Sequence, residues 1–175
     1  MYDPIMTAPM RDELVHAGVK SLPSAADVDA ILAPQQGTAL VVVNSVCGCA
    51  AANARPGVIL AMRHNKLPKN VVTVFAGVDR DATERARSYF KGYMPSSPSM
   101  ALIKDGKVVF MLQRHEIEGR DPQTIAKRLT DAFDQHCNAL QTLARRNGGR
   151  YVGISTAIPV EDAIFGPMVR SRGVA

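Results

Sequence analysis

The chain has 175 residues, 46% of them hydrophobic and 21% charged, a balance that excludes a disordered or fibrous polymer and suits one domain with a proper core. Aromatics are scarce at 5% and tryptophan is absent, so that core is expected to be aliphatic. No apolar run reaches the roughly 18 residues that argue for a membrane span, and the start, "MYDPIMTAPMRDEL", lacks the basic-then-apolar pattern of a secretory signal. The expected location is the cytoplasm, with no membrane partner.

The net charge of +5 is uneven. Arg145, Arg146, Arg150, Arg170 and Arg172 stand against only Glu161 and Asp162 in residues 138–175, which read as a basic C-terminal extension of unassigned role. No interleaving of basic and aromatic residues supports nucleic-acid readout, so a nucleic-acid partner is not expected.

In chain order, residues 6–18 read as a helix with Met6, Met10, Leu14 and Val15 on one apolar face. Ser24 is placed to cap a second helix carrying Val28, Ile31 and Leu32, which Pro34 and Gly37 end. The run "TALVVVN", 38–44, fits a central strand buried on both faces. The alanine-rich segment 50–64 favours helix, with Pro56 expected to kink it. "NVVTVFAGV", 70–78, is a second buried strand. Asp79 or Asp81 is placed to cap the following helix, which ends at Gly92.

Asp105-Gly106 between two apolar runs predicts a hairpin. Asp121 and Pro122 start a last helix with Ile125, Leu129, Ala132, Phe133 and His136 at helical spacing. The order is β-α-β-α-β-β-α behind two helices. Strands joined through helices run parallel and the hairpin adds an antiparallel edge, so the expected fold class is α/β, a mixed central sheet with helices on both faces. In the extension, "YVGISTAIPV" suggests a short strand and "EDAIFGPMV" a helical turn.

Two of the three cysteines, Cys47 and Cys49, lie just past the first core strand, at the start of the alanine-rich helix. The free N–H groups and dipole of a helix start favour a thiolate and lower a cysteine's pKa, and the thiolate is the attacking species in disulfide exchange. Residues two apart can form a disulfide only with a distorted backbone, which Gly48 between them relaxes. Such a bond would be strained and better suited to transient use than to stapling. Metal binding is the rival reading. Zinc usually takes four Cys or His ligands in two spaced pairs. No second pair is evident: His136 and Cys137 are adjacent on a helix and point apart, and His64 reads as an exposed cap. No metal or organic cofactor is therefore expected.

The stretches "VVVNSVCGCAAANARPG", "VVTVFAGVDRDATERAR", "PSSPSMALIKDGK" and "RHEIEGRDPQTIAKRLTDAFDQHC" resemble the bacilliredoxin family, and the resemblance covers almost all of residues 1–137. It implies a thioredoxin-like, three-layer α/β/α fold for residues 1–137. It also implies a thiol-disulfide oxidoreductase that removes bacillithiol, a low-molecular-weight thiol, from mixed disulfides on client proteins. Disulfide isomerase activity has been ascribed to the family as well, and use of the thiols as metal or partner ligands remains the alternative of a different class.

By the resemblance, Cys47 is the attacking cysteine and Cys49 the resolving one, surrounded by Asn44, Ser45, Gly48 and the Ser97-Pro98 turn. In thioredoxin-like folds a cis-proline just before a strand lies beside the cysteines. Pro98 is the candidate and Pro95 the alternative. Arg114, His115, Glu116 and Glu118 fall in the family's "RHEIEG" stretch, where a tuning role for His115 stands beside a purely structural one. Arg55 is a candidate for attracting anionic thiol adducts. The expected partners are thiolated client proteins and the small thiol as co-substrate, with a homo-oligomer left open. Cys137 reads as a packing residue, with a backup thiol as the alternative, and the family pattern stops near it.

Overall fold

The β-branched run Thr38–Asn44 forms the central strand, β2, of a five-stranded sheet. The structure, a computed structural model, describes residues 2–148, apart from the side chains of residue 4 and of residues 136–145. Around β2 lie α1 (Pro4–His16), β1 (Lys20–Ser21), α2 (Ala25–Leu32), a π-helical turn (Ala50–Ala54) running into α3 (Arg55–Ala61), β3 (Asn70–Phe75), α4 (Arg80–Ser88), β4 (Ser99–Lys104), β5 (Lys107–Leu112), α5 (Arg114–Ile117) and α6 (Pro122–Arg146). The strand order is β1-β3-β2-β4-β5. β1, β3 and β2 are parallel, whereas β4 and β5 run antiparallel to their neighbours. The mixed sheet with its antiparallel edge is the expected one. The two-residue edge strand β1 was not legible as a strand.

Alternation along β2 divides two cores. Ala39, Val41 and Val43 join Val72 and Val74 of β3 beneath Val28 and Leu32 of α2 and Ala82 and Ala86 of α4. Leu40, Val42 and Asn44 point to the other face, where Asn44 reaches the Met10 carbonyl of α1 and Arg55 of α3. Helices therefore cover both faces. The strand order, the crossovers and the antiparallel hairpin make the fold thioredoxin-like.

Several local expectations hold with their physical cause visible. Ser24 and Asp27 form a reciprocal capping box at α2. Asp105 and Gly106 both have positive φ, 45° and 76°, as a two-residue hairpin turn of primed type requires. The Asp121 carboxylate accepts the Thr124 N–H at 2.7 Å and starts α6.

Others differ. In α1, Met6 is 70% exposed and Val15 is also exposed, whereas Thr7 is buried with Leu14. Thr7 can be buried because its hydroxyl donates to the Asp3 carbonyl one turn back. Pro56 does not kink a regular helix. The wide turn ahead of it, in which the Arg55 N–H bonds the Ala50 carbonyl five residues back, precedes a regular α-helix that starts with the proline in its first turn. Asp79 sits at the cap position of α4, but its carboxylate pairs with Arg11 at 2.8 Å instead of capping. α5 is a single helical turn held by Gln113 and Glu116, at a stretch where the sequence pattern had no helix. α6 continues past residue 137 to Arg146. Residues 149–175, with the expected strand and helical turn of the extension, lie outside the described residues, as do the side chains of His136 and Cys137.

The chain divides into two compact units, Met1–Thr130 and Asp131–Ala175, with the division inside α6. The first contains the whole sheet. The second, as described, consists of the rest of α6 and the turn through Gly148.

One glycine sets the packing distance between helices. A Cβ on Gly57 of α3 would lie 2.7 Å from Ile125 Cγ2 and 3.2 Å from the Pro122 carbonyl, and Ile125 is fully buried. Gly57→Ala is therefore expected to destabilise the fold by about 1–3 kcal/mol through overpacking, although alanine is the better helix former. Chemical denaturation checks this, and an unchanged or raised midpoint would contradict it.

Candidate active site at the end of the central strand

β2 leaves the sheet at Asn44, and the chain passes through Ser45 and Val46 to Cys47. The N–H groups of Ala50 and Ala51 both bond the Cys47 carbonyl, at 3.0 and 3.2 Å, so Cys47 occupies the cap position of the helical segment that follows. Its Sγ accepts the Ala50 N–H at 3.4 Å, as a serine or aspartate oxygen does at a helix start. Ser45 Oγ lies 3.1 Å from the same sulfur. Cys49 follows inside the first turn, and both thiols are free and partly exposed.

These contacts separate the two thiols electrostatically. Burial pushes the Cys47 thiol up, but hydrogen bonds from Cys49, Ser45 and the Ala50 N–H, with the positive charge of Arg114, outweigh it and the net direction is down. Burial, donation of its own hydrogen bond to Cys47 and the charge of Cys47 push Cys49 up, with Arg114 opposing and Glu118 adding to the rise. These effects favour the thiolate form at Cys47 and the thiol form at Cys49.

The antiparallel hairpin brings the rest of the predicted site to the same sheet edge. Ser99 pairs with Val43 of β2. The Ser97-Pro98 peptide just before it is cis, so Pro98 rather than Pro95 is the cis-proline of this edge. The Ser96 carbonyl accepts from Ser99 Oγ at 3.0 Å and from Arg87 at 3.2 Å. Ser96 Oγ accepts the Arg114 N–H at 3.4 Å, which ties α5 to the proline loop.

Asn44, Ser45, Gly48, Ser97 and Pro98 thus share one edge with the cysteines. Gly48 has no positive φ, and a Cβ there would meet nothing within 4 Å. His115 is exposed on α5, and the α5 charge that acts on both thiols is its neighbour Arg114. Arg114 is half-exposed and 3.6 Å from Glu118, whereas Glu116 turns away to Arg128 at 2.7 Å. Arg55 is not placed to meet an adduct in solvent: it is 3% exposed and bonded to Glu13, Asn44 and the Ser45 carbonyl. Arg114, in the "RHEIEG" stretch, is an exposed cation whose charge reaches both thiols. His64 is half-buried in the turn after α3, at the opposite end of that helix from the thiols. Among the described residues, no three His, Cys, Asp or Glu side chains come together to hold a metal ion.

The model of a family described as "Disulphide isomerase" matches residues 2–137. A bacilliredoxin of Staphylococcus epidermidis is 55% identical over 127 residues, 73% of this chain and 87% of that protein. Bacilliredoxins of Bacillus licheniformis and Koribacter versatilis are 53% and 50% identical, over 75% and 79% of this chain and 92% and 96% of theirs. The chain belongs to the bacilliredoxin family. Within that family the chain is a thiol-disulfide oxidoreductase, and Cys47 and Cys49 form its candidate site. Oxidised thioredoxin from Plasmodium falciparum is a distant structural neighbour, 16% identical at a TM-score of 0.43 over 67% of this chain and 97% of that one. The fold assignment rests on strand order and direction. No helix among the described residues is long and apolar enough to cross a membrane.

Proposed function

We propose that the protein removes a low-molecular-weight thiol, bacillithiol, from mixed disulfides on cytoplasmic client proteins. The observation that carries this reading is the unequal pair: a thiolate-favouring Cys47 at the helix cap and a proton-retaining Cys49 within hydrogen-bond reach. The Cys47 thiolate attacks the sulfur of the small thiol. A bond forms between Cys47 and that sulfur, the bond to the client breaks, and the client leaves as a thiolate that takes up a proton. Cys49 then gives up its proton and attacks Cys47 Sγ, forming the Cys47–Cys49 disulfide and releasing the small thiol. Alternatively, a second small-thiol thiolate attacks the bound one, releasing a symmetric small disulfide and restoring Cys47. Each step conserves one disulfide, so no organic cofactor or metal takes part.

Arg114, half-exposed beside both thiols, suits an adduct that carries a carboxylate. The family description favours a second reading on the same residues, isomerisation of protein disulfides.

The test is mass spectrometry of the reduced Cys49→Ser protein, in which no second thiol displaces the adduct, mixed with a bacillithiolated client. The adduct mass is expected to leave the client and appear on the peptide containing Cys47. No transfer, together with one equivalent of zinc on the purified protein, would replace the redox reading with the ligand-binding one. Reshuffling of a scrambled disulfide protein without adduct transfer would favour the isomerase.

A further inference from the structure

Arg55 lies behind the thiols. Its guanidinium is almost completely buried, an uncommon placement for a charge, and such a group is retained only when its donors are met. Nε donates to Glu13 of α1 at 2.7 Å, and Nη1 donates to the Ser45 carbonyl at 3.2 Å and to Asn44 Oδ1 at 3.4 Å. Asn44 Oδ1 also accepts the Ser45 N–H at 2.9 Å, and Asn44 Nδ2 donates to the Met10 carbonyl of α1 at 3.1 Å. Both polar groups of the Ser45 backbone are therefore held by one connected network, its N–H by Asn44 and its carbonyl by Arg55. Ser45 is itself buried, and its hydroxyl lies 3.1 Å from Cys47 Sγ.

We propose that Arg55 is a positioning residue for the redox site: by pinning the Ser45 peptide against α1 it aims the Ser45 hydroxyl at Cys47 and so maintains the thiolate. This rests on Cys47 being the attacking thiol. It makes α1, a helix with no residue in the cysteine motif, a working part of the site through Glu13 and the Met10 carbonyl. Arg55 acts here through geometry. Its planar fork bonds two acceptors on the cysteine loop and one on α1, which the single ammonium of a lysine does not reproduce. Lysine keeps the positive charge, so Arg55→Lys separates aim from charge.

The experiment is the pH profile of Cys47 alkylation by iodoacetamide in the reduced full chain, with Cys49 and Cys137 replaced by serine throughout so that one thiol reports. Thermal melts of each variant run alongside. Arg55→Lys is expected to move the alkylation midpoint upward, so that one pH unit below the parent midpoint the rate falls about threefold. Ser45→Ala is expected to move it in the same direction. Adding Arg55→Lys to Ser45→Ala should then bring little further change, because the group through which Arg55 acts is gone.

An Arg55→Lys protein that melts lower with an unmoved midpoint would show a structural role only and overturn the proposal. So would a shift of equal size with and without the Ser45 hydroxyl. If Arg55→Lys does not fold, Glu13→Ala takes its place, since Glu13 is half-exposed and its loss releases one bond of the fork. It should give a smaller upward shift that also depends on Ser45, and no shift would count against the proposal. Alkylation needs no client, so this result is read independently of whether bacillithiol is the adduct removed.

Discussion

Cys47→Ser is expected to lower adduct transfer by about a thousandfold or more, whereas Cys49→Ser should leave the first transfer intact and trap the mixed disulfide on Cys47. The asymmetry follows from the site. A serine hydroxyl at the helix cap still accepts the Ala50 N–H, so Cys47→Ser should fold, but its oxygen stays protonated near neutral pH and cannot attack sulfur. A serine at position 49 still offers a hydrogen bond to the Cys47 sulfur, so the nucleophile keeps its main favourable partner, while no second thiol remains to displace the adduct. Intact-mass analysis under non-reducing conditions checks both: no added mass on Cys47→Ser, and a stable adduct on Cys49→Ser that a small thiol removes. Wild-type turnover of a protein disulfide by Cys49→Ser would show that Cys49 is not the resolving residue.

The parts of this site that were legible in the sequence are those set by neighbouring residues. An unbroken β-branched run followed by cysteines and then alanines specifies strand, loop and helix start. The cap position of Cys47 follows from that order. Asp105-Gly106 specifies its hairpin equally locally, and the hairpin brings Pro98 to the end of the sheet that the cysteine loop leaves.

What escaped the sequence depends on distant partners. Nothing near Arg55 announces that it is buried, because the groups that satisfy it lie on α1, 42 residues earlier, and at the end of β2. Its proximity to the cysteines in sequence suggested a solvent-facing cation, and the structure turns it inward. Thr7 misled in the same way: a polar residue is buried because its own helix satisfies it, so apolar spacing alone put Met6 on the wrong face. Gly48 was read as conformational relief. In the free thiol form its backbone asks for no such relief, and the space a Cβ would take is open.

Titration of the two thiols should reveal their coupling in both directions. In the reduced protein with Cys137 replaced by serine, one thiol is expected to become reactive toward iodoacetamide below the ordinary cysteine range and the other above it. Cys49→Ala removes the leading hydrogen bond to Cys47 and should move the Cys47 midpoint up. Cys47→Ala removes both the hydrogen bond and the negative charge that raise Cys49, and should move the Cys49 midpoint down. If each midpoint ignores loss of the other thiol, the paired assignment of thiolate and thiol is wrong.

The same coupling makes a stability prediction of definite sign. The folded pKa of Cys47 is depressed, so its contribution is complete above the unfolded cysteine value of about 8.5 and is lost as pH falls through the folded value. The folded pKa of Cys49 is raised, so its contribution is intact below about 8.5 and is lost as pH rises through its folded value. The melting-temperature difference between the reduced protein and the Cys47→Ala/Cys49→Ala variant should therefore peak near pH 8.5 and decline on both sides. A difference that only rises or only falls across that range would mean that one of the two thiols keeps its ordinary pKa, and the division of labour between attack and resolution would lose its electrostatic basis.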